Sequence, residues 1–204
     1  RINRESFMES AKIFDDLKLN SEITDDEFNS IYPKRIQKLA RRHWTPVEVA
    51  LRAAEYLAKE PQTTILDIGS GVGKFCMIGG TTTNGNFTGV EQRADLIRIS
   101  NKLLKAHPLP NVKFIHANIT EINFKEYNAF YFFNSFLENI DQSSVIDRSV
   151  TLNSDRFVFY SYYLREQMKD MPVGTKLATY WSVIVENNSE YFKLVGKDFN
   201  DNLK

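Results

Sequence analysis

Apolar residues recur along this chain in two rhythms, helical spacing up to about residue 60 and short strand-like runs thereafter. Phe7, Met8, Ala11, Phe14 and Leu17 share one helical face opposite Glu5, Glu9, Lys12 and Asp16, so the chain should open with an amphipathic helix packed on something. Thr24-Asp25-Asp26-Glu27 has the spacing of a capping box and starts a second helix, which Pro33 kinks or follows with a third. Lys34, Arg35, Lys38, Arg41 and Arg42 then make 34–43 basic, either a solvated helix face or a surface for an anionic partner. Thr45-Pro46-Val47-Glu48 sets an N-cap, a proline at the first helical position and an acid at the third. The helix it predicts runs to about Lys59, buries Val47, Ala50, Leu51, Ala54 and Leu57, and stops before Pro61.

From residue 63 the pattern changes. The run 63–68 is β-branched and apolar, as expected of a strand buried on both faces of a parallel sheet, and similar runs follow at 87–91, 112–117, 129–133 and 156–160. Helical patterns lie between them, notably 93–106 with Leu96, Ile99 and Leu103 inward, and a short one at 162–168 before Pro172. Alternation at 176–185 and 191–195 around Glu186-Asn187-Asn188-Ser189 predicts an antiparallel hairpin. Strand and helix in alternation predict a doubly wound α/β fold.

Composition narrows the picture only a little. At 204 residues and 42% hydrophobic the chain can bury one sizeable core, read as an N-terminal helical extension over 1–43 and one domain over 44–204. Lys+Arg and Asp+Glu both number 26, so no global charge calls for nucleic acid or an anionic membrane. A single cysteine, Cys76, excludes an intramolecular disulfide and fits a reducing cytoplasm. No apolar run approaches the ~18 residues of a spanning helix. The first residue is Arg1 rather than Met, which suggests that residues precede it.

Candidate chemistry gathers where the first strand ends, at Asp67-Ile68-Gly69-Ser70-Gly71-Val72-Gly73-Lys74. Glycines at alternate positions let a ligand lie against the backbone, and the amides opening the next helix can face its polar atoms. Spacing separates the possible ligands. A dinucleotide loop, G-x-G-x-x-G/A, would need Gly or Ala where Lys74 stands, and a P-loop would need Gly at that position too. What remains is D-x-G-x-G-x-G followed by Gly89-Val90-Glu91 at the end of the second strand.

This pair of motifs resembles the first two motifs of the class I S-adenosylmethionine-dependent methyltransferases. The resemblance covers roughly 44–199 and implies a mostly parallel seven-stranded sheet finished by the C-terminal hairpin. It implies that Asp67, Gly69, Ser70, Gly71 and Gly73 form the cofactor loop and that Glu91 accepts hydrogen bonds from the ribose. It implies further that Asn118 and Ile119 meet the adenine, that 43–46 with Trp44 and Thr45 lie near the reacting methyl, and that Asn134 and Phe136 face it from the fourth strand. Asn134 would orient the acceptor and Phe136 would wall it in. Around the fourth strand the sequence is also similar to the non-SET histone-lysine methyltransferases, which carry two asparagines before Phe where this chain has Asn134-Ser135, and to the N-P-P-F/Y amino methyltransferases, whose prolines it lacks. Glu138 and Asp141 could act as a base, though surface carboxylates are the plainer expectation. The acceptor is thus a protein side chain or a small molecule, a methyltransferase-like scaffold without turnover stays open, and an NAD-dependent oxidoreductase is the weaker rival.

Overall fold

The structure, a computed structural model, describes residues 4–182 together with 193, 195 and 196. Its centre is a parallel sheet in the order β3-β2-β1-β4-β5. The strands are β1 (Thr64–Ile68), β2 (Asn86–Glu91), β3 (Val112–His116), β4 (Ala129–Phe133) and β5 (Lys176–Tyr180). Successive side chains of a strand point to opposite faces, and the two cores follow that alternation. Ile65, Phe87, Ala129 and Tyr131 enter one core, while Leu66, Ile68, Val90, Phe130 and Phe132 enter the other.

The first core is covered by α5 (Val47–Leu57), α6 (Lys74–Thr82), α7 (Ala94–Ala106) and the N-terminal helices, the second by α8 (Ser154–Lys169). Phe75 stacks on Tyr131 at 4.0 Å in the first and Phe124 on Phe130 at 5.3 Å in the second. The N-terminal helices α1 (Arg4–Lys18), α2 (Asp25–Asn29), α3 (Lys34–Gln37) and α4 (Ala40–His43) are not a separate layer, because Phe14, Leu17, Phe28, Tyr32 and Ile36 share the first core with α6. The Thr24 capping box forms as expected, and α3 starts directly after Pro33. Met8, assigned to the buried face of α1, is instead exposed.

Three local expectations change. The run 156–160, read as a strand, and 162–168, read as a separate helix, are both part of α8, which Asn153 caps by accepting the Arg156 amide at 2.9 Å. Phe157, Val158 and Phe159 have strand-like propensity, but Tyr160, Leu164 and Met168 recur at helical spacing and are the residues α8 buries. The edge strand is supplied later, by Lys176–Tyr180, which pairs parallel with β4. The described residues therefore carry five strands, and positions 183–192 and 194 of the expected hairpin over 176–195 lie outside them. Thr45 does not cap α5: Asp25 accepts the Val47 amide at 3.0 Å, leaving the Thr45 hydroxyl to pair with Tyr131 at 3.0 Å.

Candidate active site

The sheet order reverses between β1 and β4, and at such a switch point the loops leaving two adjacent strands part and open a crevice at their carboxyl ends. The cleft found there encloses about 860 Å³, part of it open to solvent. Its walls hold Gly69 and Gly71 after β1, Glu91 to Arg93 after β2, Asn118 and Ile119 after β3, and Asn134 to Asn139 after β4. Arg42, His43 and Trp44 close it from the N-terminal side. A smaller cavity lies beside it, lined by Thr45, Asp67, Ser70, Lys74 and Tyr131, and it shares His43, Trp44, Gly69 and Phe133 with the main cleft.

The glycine loop differs in detail from its expected role. Gly69 and Gly71 have φ of +75° and +55°, which favours glycine. A Cβ on Gly69 would meet Ser135 at 2.5 Å, and one on Gly71 would meet the Trp44 ring at 2.6 Å. Protein groups thus close in on these two positions, and one on Gly73 would likewise meet Phe114 at 2.4 Å. The amides of Gly69 and Ser70 donate to the Val90 carbonyl, that of Gly71 to Glu91, and that of Gly73 to the Ser70 carbonyl. Those four amides are therefore engaged within the protein, and the loop offers a ligand its shape and its neighbours rather than a nest of donors. Ser70 Oγ is buried with no hydrogen-bond partner among the described residues.

Glu91 is the hub of the cleft. One carboxylate oxygen accepts the Gly71 amide at 3.2 Å and the other the Arg93 amide at 2.8 Å, so it fixes the loop against the start of α7. An ionised carboxylate has about four lone-pair sites, and two amides leave room for a further pair of donors such as a diol. Burial pushes its pKa up, against the pull of the Arg93 amide and guanidinium. Arg93, which the sequence reading passed over, is 4% exposed and reaches Glu138 at 2.9 Å and Asp147 at 3.2 Å. Glu138 is accordingly a buried ion-pair partner, not the surface carboxylate expected, and its other oxygen accepts the Ile146 amide at 2.7 Å. Asp141 does lie near the surface, paired with Arg42. The signal for Arg93 was its place two residues after Glu91, but burial alone shows that it needs several acids.

Asn118 and Trp44 line the cleft with their polar groups already engaged. The Asn118 carbonyl oxygen accepts the Thr120 amide at 3.1 Å, and its Nδ2 donates to Tyr160 at 2.7 Å. The Trp44 indole donates to the Ile36 carbonyl at 2.8 Å, so Trp44 presents ring surface only. Ile119 and Phe136 are buried, the latter 5.0 Å from Phe132 and 5.3 Å from Tyr160 between ring centroids. Asn134 turns the chain out of β4 with φ +45°, a conformation that Asn tolerates better than most residues, and its carbonyl accepts the Leu137 amide at 3.0 Å.

In the smaller cavity Asp67 is fully buried and accepts from the Cys76 thiol at 3.5 Å. Burial raises its pKa to about 7, the thiol contact pulling the other way and Glu91 adding to the rise. Lys74 is 3% exposed and reaches Asp25 at 2.5 Å, the same oxygen that holds the start of α5. The N-terminal segment is tied to the cleft at further points, Arg42 to Asp141 and His43 to the Ser144 carbonyl at 2.9 Å. If these ties let 43–46 act as a lid, S-adenosylmethionine should slow amide exchange at Trp44 and Thr45 several-fold, because a bound ligand suppresses local opening. Exchange mass spectrometry giving equal rates with and without it would remove the lid.

Charge and shape suit a cationic ligand with a diol. Three lining carboxylates, Glu91, Glu138 and Asp141, face two guanidinium groups, Arg42 and Arg93. Among solved structures, the chain is similar in fold to an RNA methyltransferase from Salinibacter ruber in complex with S-adenosyl-L-homocysteine, at 24% identity, covering 47% of this chain and 63% of that one with a TM-score of 0.41. It is also similar to a SAM-dependent O-methyltransferase from Thermotoga maritima, at 18% identity over 50% of this chain and 41% of that one, TM-score 0.40. A precorrin-6y C5,15-methyltransferase from Geobacter metallireducens matches at 18% identity over 63% of this chain and 74% of that one, TM-score 0.43. No curated protein matches the sequence closely enough to count as a relative. The family model described as a methyltransferase domain matches residues 59–192, from the end of α5 onward. The chain therefore belongs to the methyltransferase-domain family, whose members take their methyl group from S-adenosylmethionine.

Proposed function

We propose that this cleft binds S-adenosylmethionine and that the chain transfers its methyl group to a protein side chain or small molecule. The observation that carries the reading is Glu91, an acid at the end of β2 whose two oxygens keep acceptor capacity while their amide bonds hold the glycine loop. Ribose hydroxyls would take the remaining lone pairs, the adenine would lie toward Asn118 and Ile119, and the methionyl end would reach Asp67 and the smaller cavity. The cofactor, when bound, supplies an activated methyl on a sulfonium that is a good leaving group. The residues around it position and exclude water, and positioning alone can supply much of the acceleration.

Asn134 has the orienting role in this reading. Its side chain lies in the cleft wall where β4 ends, with no hydrogen-bond partner among the described residues, and Phe136 provides the apolar wall beside it. Asn134→Ala should leave S-adenosylhomocysteine affinity nearly unchanged and lower turnover per folded molecule by about tenfold or more, since the contact matters most in the transition state, with only the modest fall in melting temperature that alanine at φ +45° brings. A variant that melts early with normal turnover per folded molecule would return Asn134 to a purely structural role. Methyl-labelled S-adenosylmethionine incubated with cell extract, followed by separation of protein from small molecules, tests the whole proposal. The likeness to histone-lysine methyltransferases around Asn134-Ser135-Phe136 makes protein lysine one acceptor class to look for. Label in neither fraction, with cofactor binding intact, would leave a binding scaffold.

A further inference from the structure

The structure assigns the task of accepting the methyl acceptor's proton to His43, whose ring lies in the wall shared by the two cavities. The inference rests on the methyl-transfer reading of the cleft and adds to it a base and an acceptor class.

Geometry fixes the tautomer. His43 Nε2 lies 2.9 Å from the Ser144 carbonyl oxygen, which can only accept, so Nε2 carries the hydrogen. A neutral imidazole then has its lone pair on Nδ1. No group among the described residues bonds that nitrogen, whereas Glu138 and Asp141, the carboxylates expected as candidate bases, are committed to Arg93 and Arg42. The charged groups facing the ring come from three directions. Arg42 on α4 and Arg93 at the head of α7 oppose protonation, and Glu138 in the turn after β4 favours it. Burial is the largest influence and takes the pKa below the ordinary histidine value, so the ring is neutral at pH 7.

Position supplies the rest of the argument. The wall that His43 shares with Gly69, Trp44 and Phe133 stands where the ends of β1 and β4 meet, next to Asn134. A neutral base there is needed only by an acceptor that still carries its proton at neutral pH, a hydroxyl or an ammonium group, and not by a carboxylate or thiolate. An ammonium gives its proton to Nδ1 first, which frees its lone pair, whereas a hydroxyl gives it up as it attacks; in both cases the acceptor atom forms its bond to the methyl carbon as the carbon–sulfur bond breaks. The electron pair of that bond stays on sulfur, giving the neutral thioether, and the acceptor's proton passes to Nδ1 to give the imidazolium.

The chain has three histidines, so long-range ¹H–¹⁵N spectra of this chain can resolve each ring, with His43→Gln assigning the signal. The expected result is Nε2–H with an unprotonated Nδ1 between pH 7 and 8, and a clear change of the Nδ1 shift on saturation with S-adenosylhomocysteine. A protonated Nδ1, or an Nδ1 unmoved while the Gly69 and Gly71 amides respond, would overturn the proposal. Absence of any amide response would instead overturn the cofactor reading on which it stands. In the labelled-extract assay His43→Gln should lose roughly 100-fold in incorporation with unchanged S-adenosylhomocysteine affinity, the size of a general-base contribution. Its remaining rate should also lose the rise that wild type shows as pH passes through the His43 pKa. Wild-type incorporation by the mutant, or none by the wild type, would overturn it.

Discussion

Replacing Glu91 by Ala should weaken S-adenosylhomocysteine binding by about 30- to 150-fold in calorimetry, the equivalent of losing roughly 2–3 kcal/mol from a charged acceptor shared by two hydroxyls. The same change strips the Gly71 and Arg93 amides of their acceptor, so the melting temperature should fall as well. The two effects are separable through Asp147, which braces Arg93 at 3.2 Å without being among the groups lining the cleft. Asp147→Asn should lower the melting temperature while leaving affinity within a few-fold of wild type. Equal loss of affinity in both variants would mean that Glu91 acts by ordering the loop, and unchanged affinity in Glu91→Ala would remove its ribose role.

Cofactor binding should strengthen as pH rises from 6 to 8, by up to about tenfold per unit below pH 7, and Asp67→Asn should abolish the dependence. The cause is the buried Asp67 carboxyl, whose pKa of about 7 leaves it half protonated at neutrality. A cationic methionyl end favours the ionised form, so binding at lower pH must expel a proton. Stability runs the other way. The folded pKa lies above the unfolded value near 3.8, so the contribution of Asp67 is fully present below about pH 4 and is lost as pH rises through 7. Without ligand, wild type should therefore lose stability between pH 5 and 8 more steeply than Asp67→Asn, by on the order of a few kcal/mol, read as a steeper fall in melting temperature. Calorimetry and thermal melts across that range check both slopes, and parallel slopes for the two proteins would mean that Asp67 does not titrate there.

The sequence alone determined the frame of the cleft, because its signals are local. Apolar runs of four to six residues bounded by glycine or other turn residues read as strands buried on both faces, and the residues that end four of them, Gly69, Glu91, Asn118 and Asn134, collect at one edge of a parallel sheet. Capping chemistry at Thr24 was equally legible, since a capping box closes within four residues. Tertiary structure decided what local preference leaves ambiguous. Strand-like Phe157 to Tyr160 became helix because the spacing of Tyr160, Leu164 and Met168 lets one stripe cover the sheet, a gain of packing larger than the small cost in propensity. The polar network was out of reach for the same reason. Arg93 meets Glu138 and Asp147 across 45 and 54 residues, and His43 meets Ser144 across 101. Burial without water compels such pairings, and only the fold says which groups are buried together.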